Sequence, residues 1–353
     1  MIPVFINARF RSRPVTGVER FAMEVSSRIE QSGDLAVREV TPATPLSGMK
    51  GHAWEQFVLP RQVAPDGILF SPCNTGPISV KRQLVVIHDA AVWDCPEGFS
   101  RSFGSLYRQL LPRLAKRSHT VATVSQFSRK QLAPRLGLPE EKILVLGNAV
   151  SSAFTPGASS TDLDRSPSLL CVGSMDPRKN LNRLINAWIA LKNTGRLPEN
   201  ASLKLIGGTN PKNFAAFALT EDSSIQWLGR VDDEALINHY RKASAFIYPS
   251  YYEGFGLPPL EAMACGCPVL ISREASLPEV GGPAFDPADP ASSGAALYFD
   301  PFSEESIGEA ILHFFALNIE ARSRLRTNAI ARSGEFSWDT IAGHTVKALR
   351  RME

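Results

Sequence analysis

The residues best suited to chemistry in this chain form the run Glu253-Gly-Phe-Gly-Leu-Pro-Pro-Leu-Glu261. Two carboxylates bracket a glycine-rich turn, and Pro258 and Pro259 stand where a helix would begin. Just upstream, Ala245-Phe-Ile-Tyr248 is a short apolar run that reads as a buried strand. A strand, a glycine loop and a helix start in succession let backbone N–H groups approach an anion closely, and the helix N-terminus favours negative charge there. Carboxylates on either side can accept hydrogen bonds from a polyhydroxylated ligand. The same residues also fit a helix N-terminus carrying ordinary surface acids.

A second segment, Gly173-Ser-Met-Asp-Pro-Arg-Lys-Asn-Leu181, also follows an apolar run and opens a helical pattern. It lacks the glycine spacing of a P-loop or of a dinucleotide fold. Arg178 and Lys179 fall at the expected helix start, where cations oppose the helix dipole. A diphosphate between them would satisfy both; two solvated surface cations are the alternative. His88-Asp89 ends the predicted strand 83–87, and a lone His there is structural or functional. Thr16-Gly17-Val-Glu-Arg20 lies between the first predicted strand and helix, as a structural turn or a substrate loop. Ser125-Gln-Phe-Ser128 reads as a helix cap first and a substrate contact second.

These residues need strands to hold them. Short apolar runs at 2–6, 67–70, 83–87, 120–124 and 143–146 alternate with helical periodicity. Residues 151–167, rich in Ser, Thr, Pro, Gly and Asp, interrupt the pattern and read as a linker. Strands then recur at 168–172, 203–206, 245–248 and 268–271, with helices at 180–192 and 232–242. Alternation of this kind predicts an α/β fold of parallel sheets covered on both faces, here two Rossmann-like domains facing a cleft, with ligands beyond the strand C-termini. Residues 336–352 read as a terminal helix.

The Glu253–Glu261 segment resembles the E-x7-E motif of retaining glycosyltransferases of the GT-B fold, family 4, the glycosyl transferases group 1, and in particular bacterial mannosyltransferases. The resemblance spans nearly the whole chain and is strongest from Leu170 to Pro301. It implies an acceptor-binding domain at 1–150, a nucleotide-sugar-binding domain at 168–335, and a helix at 336–353 that packs back on the first domain. It casts Glu253, His88, Arg178 and Lys179 as catalytic. Donor contacts would come from Gly17, Ser174, Arg178, Lys179, Gly207, Arg230, Val231, Glu253, Gly254, Phe255, Gly256, Leu257 and Glu261. Glu253 would hold sugar hydroxyls, Glu261 the ribose, and Arg178 with Lys179 the pyrophosphate. The base pocket would lie at 207–209 and 229–231, where Arg230 either donates to a guanine or is a solvated cation. No Asp-x-Asp metal motif is evident in this pattern, so neither metal nor cofactor is expected. The chain departs from the family at Ser174, where many relatives carry an Arg. It departs again at Gly17, where two glycines are usual, and at Asn148-Ala149, where Asn-Gly is usual. Glu279 matches a position close to the nucleotide. Residues 283–293 then look like an inserted loop near the cleft.

Composition narrows the setting. The chain has 353 residues, enough for two domains, and its 44% hydrophobic and 21% charged content is ordinary for a globular protein. No apolar run reaches the roughly 18 residues of a membrane span, and the N-terminus lacks the features of a signal peptide. The five cysteines are scattered without zinc spacing, as buried thiols of a reducing cytosol would be. Residues 1–150 carry 19 Lys/Arg against 12 Asp/Glu, a balance of +7; the remainder carries 19 against 23, a balance of −4. The basic residues at 101–117 lie among apolar ones, which favours an anionic membrane surface over nucleic acid.

The expectation is a cytoplasmic, peripheral-membrane retaining glycosyltransferase. It would move a sugar, GDP-mannose being the first choice of donor, to a growing and lipid-linked surface polysaccharide. A GT-B-like nucleotide-sugar epimerase and a non-enzymatic sugar-nucleotide-binding protein are the alternatives. A nicotinamide oxidoreductase is disfavoured by the missing glycine fingerprint.

Overall fold

A computed structural model describes residues 2–157, 167–208 and 222–353. The chain divides into two compact units, Met1–Ala149 with Phe336–Glu353, and Val150–Glu335. The start of the expected linker, residues 151–157, thus groups with the second unit, and most of its remainder lies outside the described residues.

In the first unit six parallel strands are β1 (Pro3–Asn7), β2 (Ala36–Val40), β3 (Ile68–Ser71), β4 (Gln83–Val86), β5 (Thr120–Thr123) and β6 (Ile143–Val145), in the order β2-β1-β3-β4-β5-β6. Parallel strands need crossovers, and helices such as Gly17–Gln31, Arg101–Arg117 and Gln126–Leu136 supply them. Because helices cover both faces, β3 and β4 are buried at every position, which is why they read as apolar runs, with only Ser71 and Gln83 polar at their ends. Ser125 caps the Gln126–Leu136 helix by accepting from the Ser128 amide at 2.9 Å. The terminal helix Trp338–Arg350 belongs to this unit. It lies on the Gly17–Gln31 helix, with the Trp338 and Phe21 rings 5.9 Å apart and an Arg28–Asp339 pair of 2.8 Å at the rim.

The apolar side of the Arg101–Arg117 helix faces the core, burying Leu110, Leu111 and Leu114. What it leaves exposed is Arg101, Arg113, Lys116 and Arg117 together with Ser102, Phe103, Ser105 and Gln109.

The second unit holds β7 (Ser168–Val172), β8 (Ser202–Ile206), β9 (Ile225–Gly229), β10 (Ala245–Tyr248), β11 (Val269–Ser272) and β12 (Ala296–Phe299), all parallel, in the order β12-β11-β10-β7-β8-β9. Leu169, Leu203, Ile247 and Leu270 of the sheet pack with Trp188 and Phe314 from covering helices. The chain leaves β7 to build β8 and β9 on one side, then returns to place β10 on the other. That reversal is a topological switch, and it opens a crevice at the C-terminal ends of β7 and β10. All five cysteines are buried free thiols.

The 283–293 segment does not lie beside those strand ends. Arg324, from the Ile319–Ser333 helix, donates to the carbonyls of Pro287 and Asp289, and Asn328 donates to those of Ser292 and Gly294. Ala284 bridges Ala296 at the start of β12. The insertion therefore sits at the N-terminal edge of the sheet, opposite the crevice. Its position in sequence, before an edge strand, carries no information about which end of the sheet it covers.

Candidate active site at the strand ends of the second unit

Two loops meet at the switch. The first leaves β7 at Gly173, whose amide still pairs with the Ile206 carbonyl at 2.8 Å. Gly207, at the end of β8, lies so close that a Cβ there would sit 1.8 Å from the Gly173 oxygen. Only glycine permits that approach. Asp176 then caps a single 3-10 turn, Pro177–Lys179, accepting from the Arg178 amide at 3.1 Å and from Arg178 Nε at 3.0 Å. Asn180 adopts the left-handed region at φ 57°, which asparagine tolerates. Its side chain donates to the carbonyls of Pro249, at 3.1 Å, and Pro301, at 2.7 Å.

Only after this does the helix Leu181–Asn193 begin. Arg178 and Lys179 therefore precede the helix rather than opening it, because Asn180 in the left-handed region breaks the helical path. They are also not bare cations: Arg178 pairs with Asp176, and Lys179 with Glu253.

The second loop follows β10. Lys179 Nζ donates to Glu253 Oε1 and to the Tyr248 hydroxyl, each at 2.6 Å. The Tyr248 hydroxyl donates to the same Oε1 at 2.9 Å, and Ser250 Oγ does so at 2.6 Å. Lys179, Tyr248 and Glu253 thus close a triangle of charge-assisted bonds in a largely buried site. Burial alone would push the Glu253 carboxyl up, but the Lys179 and Arg178 charges and the Lys179 and Ser250 hydrogen bonds outweigh it and hold its pKa below the ordinary range. Tyr248 is pushed well above the usual phenol, by burial first and by the Glu253 charge second. It stays protonated as a donor.

The glycine loop is fixed from behind. Ser276 Oγ lies 2.9 Å from the Glu253 carbonyl and 2.7 Å from that of Phe255. Gly256 sits at φ 111°, and a Cβ there would lie 2.8 Å from Leu277 Cδ2. The helix Leu257–Ala264 follows with Pro258 and Pro259 in its first turn, where no amide is needed for the helix ladder. Gly254 and Phe255 are buried within the loop, and Leu257 is half-buried at the helix start. Glu261, a turn further on, accepts from the Tyr240 hydroxyl at 3.1 Å.

The remaining predicted donor residues spread along the same edge. Ser174 is exposed after β7, and Gly207 follows β8. Arg230, exposed, and Val231, half-buried, follow β9. Thr209, part of the expected base pocket, lies outside the described residues.

His88 and Gly17 belong to the first unit. His88 is buried after β4, its Nε2 lying 2.8 Å from the Pro72 carbonyl and its ring edge-on to Phe21 at 5.0 Å. A carbonyl only accepts, so Nε2 carries the proton. Burial lowers the ring's pKa against the opposing Pro72 bond, leaving a neutral imidazole with Nδ1 as acceptor. Gly17 is the first residue of its helix. Thr16, just before it, donates to Glu19 Oε2 from its amide at 3.2 Å and from its hydroxyl. The segment is thus a capping box, a pattern legible in the sequence as T-x-x-E. Tyr248, Ser250, Asp176 and Asn180 went unassigned. The only available signal for Tyr248 was a hydroxyl ending an otherwise apolar strand.

Among the described residues, no group of three or more His, Cys, Asp or Glu is placed to hold a metal ion. The arrangement suits an anionic, hydroxyl-bearing ligand: two cations, loop amides, a helix start and a deprotonated carboxylate within one crevice.

The glycosyl transferases group 1 profile matches residues 159–332. O-antigen chain mannosyltransferase B of Escherichia coli is 31% identical over 301 residues, covering 81% of this chain and 74% of that protein. The chain belongs to the glycosyl transferases group 1 family. This glycosyltransferase is also similar to the O-antigen chain mannosyltransferase RfbU of Salmonella typhimurium, 29% identical over 72% of this chain and 66% of that one. Among solved structures, sucrose-phosphate synthase from Thermosynechococcus elongatus superimposes with a TM-score of 0.75 at 17% identity over 99% of both chains, which shows the shared GT-B fold.

Proposed function

We propose that this glycosyltransferase moves mannose from GDP-mannose, with retention of anomeric configuration, to a hydroxyl of a growing lipid-linked surface polysaccharide. The observation that carries the reading is the Lys179–Tyr248–Glu253 triangle at the switch between β7 and β10. The mannosyl and O-antigen assignment draws on the named relatives.

The second unit takes the donor and the first the acceptor. On donor binding, Lys179 turns from Glu253 to the diphosphate, with Arg178 beside it. That movement leaves the Glu253 carboxylate to accept from sugar hydroxyls. Glu261 is assigned to the ribose and Arg230 to the base edge, with Ser174, Gly207 and Val231 beside it. The loop 254–257 supplies amides, and His88 Nδ1 is assigned to a hydroxyl of the transferred sugar. In the transfer, the bond from the anomeric carbon to the diphosphate breaks and the acceptor oxygen forms its bond on the same face. The acceptor's proton passes to the departing diphosphate. Catalysis is then mainly electrostatic, the cations and amides stabilising charge as it develops on the leaving group. No metal is required in this scheme.

We further assign the first unit to the anionic inner face of the cytoplasmic membrane. The +7 balance of residues 1–150 and the exposed cations there support this, as do Met49 and Phe57, exposed at 69% and 68% on the Gly48–Phe57 helix. Among the described residues no helix is long and apolar enough to cross a membrane.

A panel of nucleotide sugars offered with a mannose-terminated glycolipid, read by mass spectrometry with and without EDTA, tests the reading. Mannose addition that survives the chelator is expected. Preference for another donor removes the GDP-mannose assignment, and loss of activity restored by a divalent ion removes metal independence.

A further inference from the structure

Tyr251 and Phe302 stand together at the edge of the donor crevice. Their ring centroids are 5.9 Å apart with planes 31° from parallel, and Phe302 is 56% exposed. More than half of that side chain's surface therefore stays in water, where burial against a ligand would be favourable. The pair is held firmly. Phe302 follows Asp300, which accepts from its amide at 2.9 Å. Pro301 is hooked by the Asn180 amide at 2.7 Å, and the same Asn180 holds Pro249, two residues before Tyr251. The Tyr251 amide donates to the Arg178 carbonyl at 3.0 Å. The rings thus hang from the same loops that carry Lys179 and Glu253.

Polar groups surround them. The Arg183 guanidinium lies 5.8 Å from the Phe302 centroid while donating to Asn180 Oδ1 at 3.0 Å. Arg273 and Asp300 pair at 2.5 Å, with Arg273 exposed. Flat rings with charged hydrogen-bonding groups at the rim match one chemistry well. A pyranose presents a C–H face toward the electron-rich aromatic face and equatorial hydroxyls toward the rim.

We propose that Tyr251 and Phe302 form a stacking platform for a pyranose ring of the acceptor glycan, with Arg183 binding its hydroxyls. The proposal rests on the glycosyl-transfer reading above and adds to it a subsite on the second unit. An aromatic platform recognises a sugar face without a charged group, so it suits a neutral polymer end. Its position beside the Glu253 loop places the bound ring next to the reacting sugar.

The test uses the full chain and two separate titrations by calorimetry: GDP, and an α-linked mannotriose in the presence of saturating GDP. Phe302→Ala and Phe302→Leu should each weaken mannotriose about fivefold to tenfold, the range of an aromatic contact beyond simple area burial. Phe302→Trp should bind within twofold of wild type. GDP affinity should be unchanged in all three. Unaltered mannotriose binding by Phe302→Ala, or leucine serving as well as tryptophan, overturns the platform. So does wild type that binds GDP but not mannotriose. A parallel loss of GDP affinity overturns it too, since the rings would then stack on the nucleobase. Wild type that fails to bind GDP overturns instead the donor reading beneath the proposal, and the two titrations keep these failures apart.

Discussion

Replacing Tyr248 by Phe tests the geometry of the site with the smallest change in shape. The ring remains, so no cavity opens, and the Lys179–Glu253 pair at 2.6 Å is still available. What disappears is one hydroxyl that accepts from Lys179 at 2.6 Å and donates to Glu253 at 2.9 Å. A hydrogen bond to a charged group is worth about 1.5–3 kcal/mol net. If the hydroxyl orients both charges for transfer, its loss should lower kcat/KM by that amount, about tenfold to 150-fold. The pH profile provides a second readout. The hydroxyl stabilises the ionised carboxylate, so without it the Glu253 pKa rises, and the acidic limb of kcat/KM moves to higher pH. Steady-state rates with GDP-mannose from pH 4 to 8 (an interval of about two units either side of 6, spanning the ordinary Glu and His ranges), beside urea unfolding of the same variant, separate catalysis from stability. A rate within twofold of wild type with an unmoved acidic limb would refute the positioning role.

Breaking the buried pair from one side, by Lys179→Met or Glu253→Gln, should cost about 3–5 kcal/mol in urea unfolding, with the double variant recovering much of the loss; simple additivity would show that the pair is not coupled. Because the folded Glu253 pKa lies below its ordinary value near 4.5, its contribution to stability is complete above that value and is lost as pH falls through the folded one. The stability gap between wild type and Glu253→Gln should therefore narrow in acid, and a pH-independent gap would contradict the assignment. Gly207→Ala places a Cβ 1.8 Å from the Gly173 oxygen and should destabilise by at least about 1–3 kcal/mol, as overpacking does; an unchanged urea midpoint would show that β7 and β8 yield freely. Binding to liposomes should need anionic lipid, fade with salt and weaken in Phe57→Ser, each nearby cation contributing about 1 kcal/mol; indifference to lipid charge would remove the membrane assignment.

How far the sequence reached follows from burial. Strands buried on both faces, such as β3, β4, β10 and β11, are apolar but for Ser71, Gln83 and Ser272 at their ends, and were legible. Ala36–Val40 and Ile225–Gly229 were not, because they are edge strands whose half-exposed positions admit Arg38, Glu39 and Gln226. The glycine loop and its prolines were readable because their backbone demands are local. The partnership of Lys179 with Glu253 was not, since 74 residues separate them and only the order of β7 and β10 in the sheet joins them. The same missing knowledge led Arg178 and Lys179 to be read as cations at a helix start. Asn180, which separates them from the helix that begins at Leu181, is an ordinary polar residue in sequence and shows its role only through its left-handed backbone and its two proline carbonyl partners.

If the crevice transfers a sugar with retention and Glu253 takes part, both show in the newly formed linkage. The direct measurement is the anomeric configuration of the new linkage, by proton NMR of the product from GDP-mannose and a mannose-terminated acceptor, with wild type and folded Glu253→Ala run in parallel. The expected result is a product with the donor's own anomeric configuration and a rate lowered at least about a hundredfold by the substitution, the scale of losing one preorganised electrostatic contact. An inverted linkage, or a Glu253→Ala enzyme as fast as wild type, would contradict it.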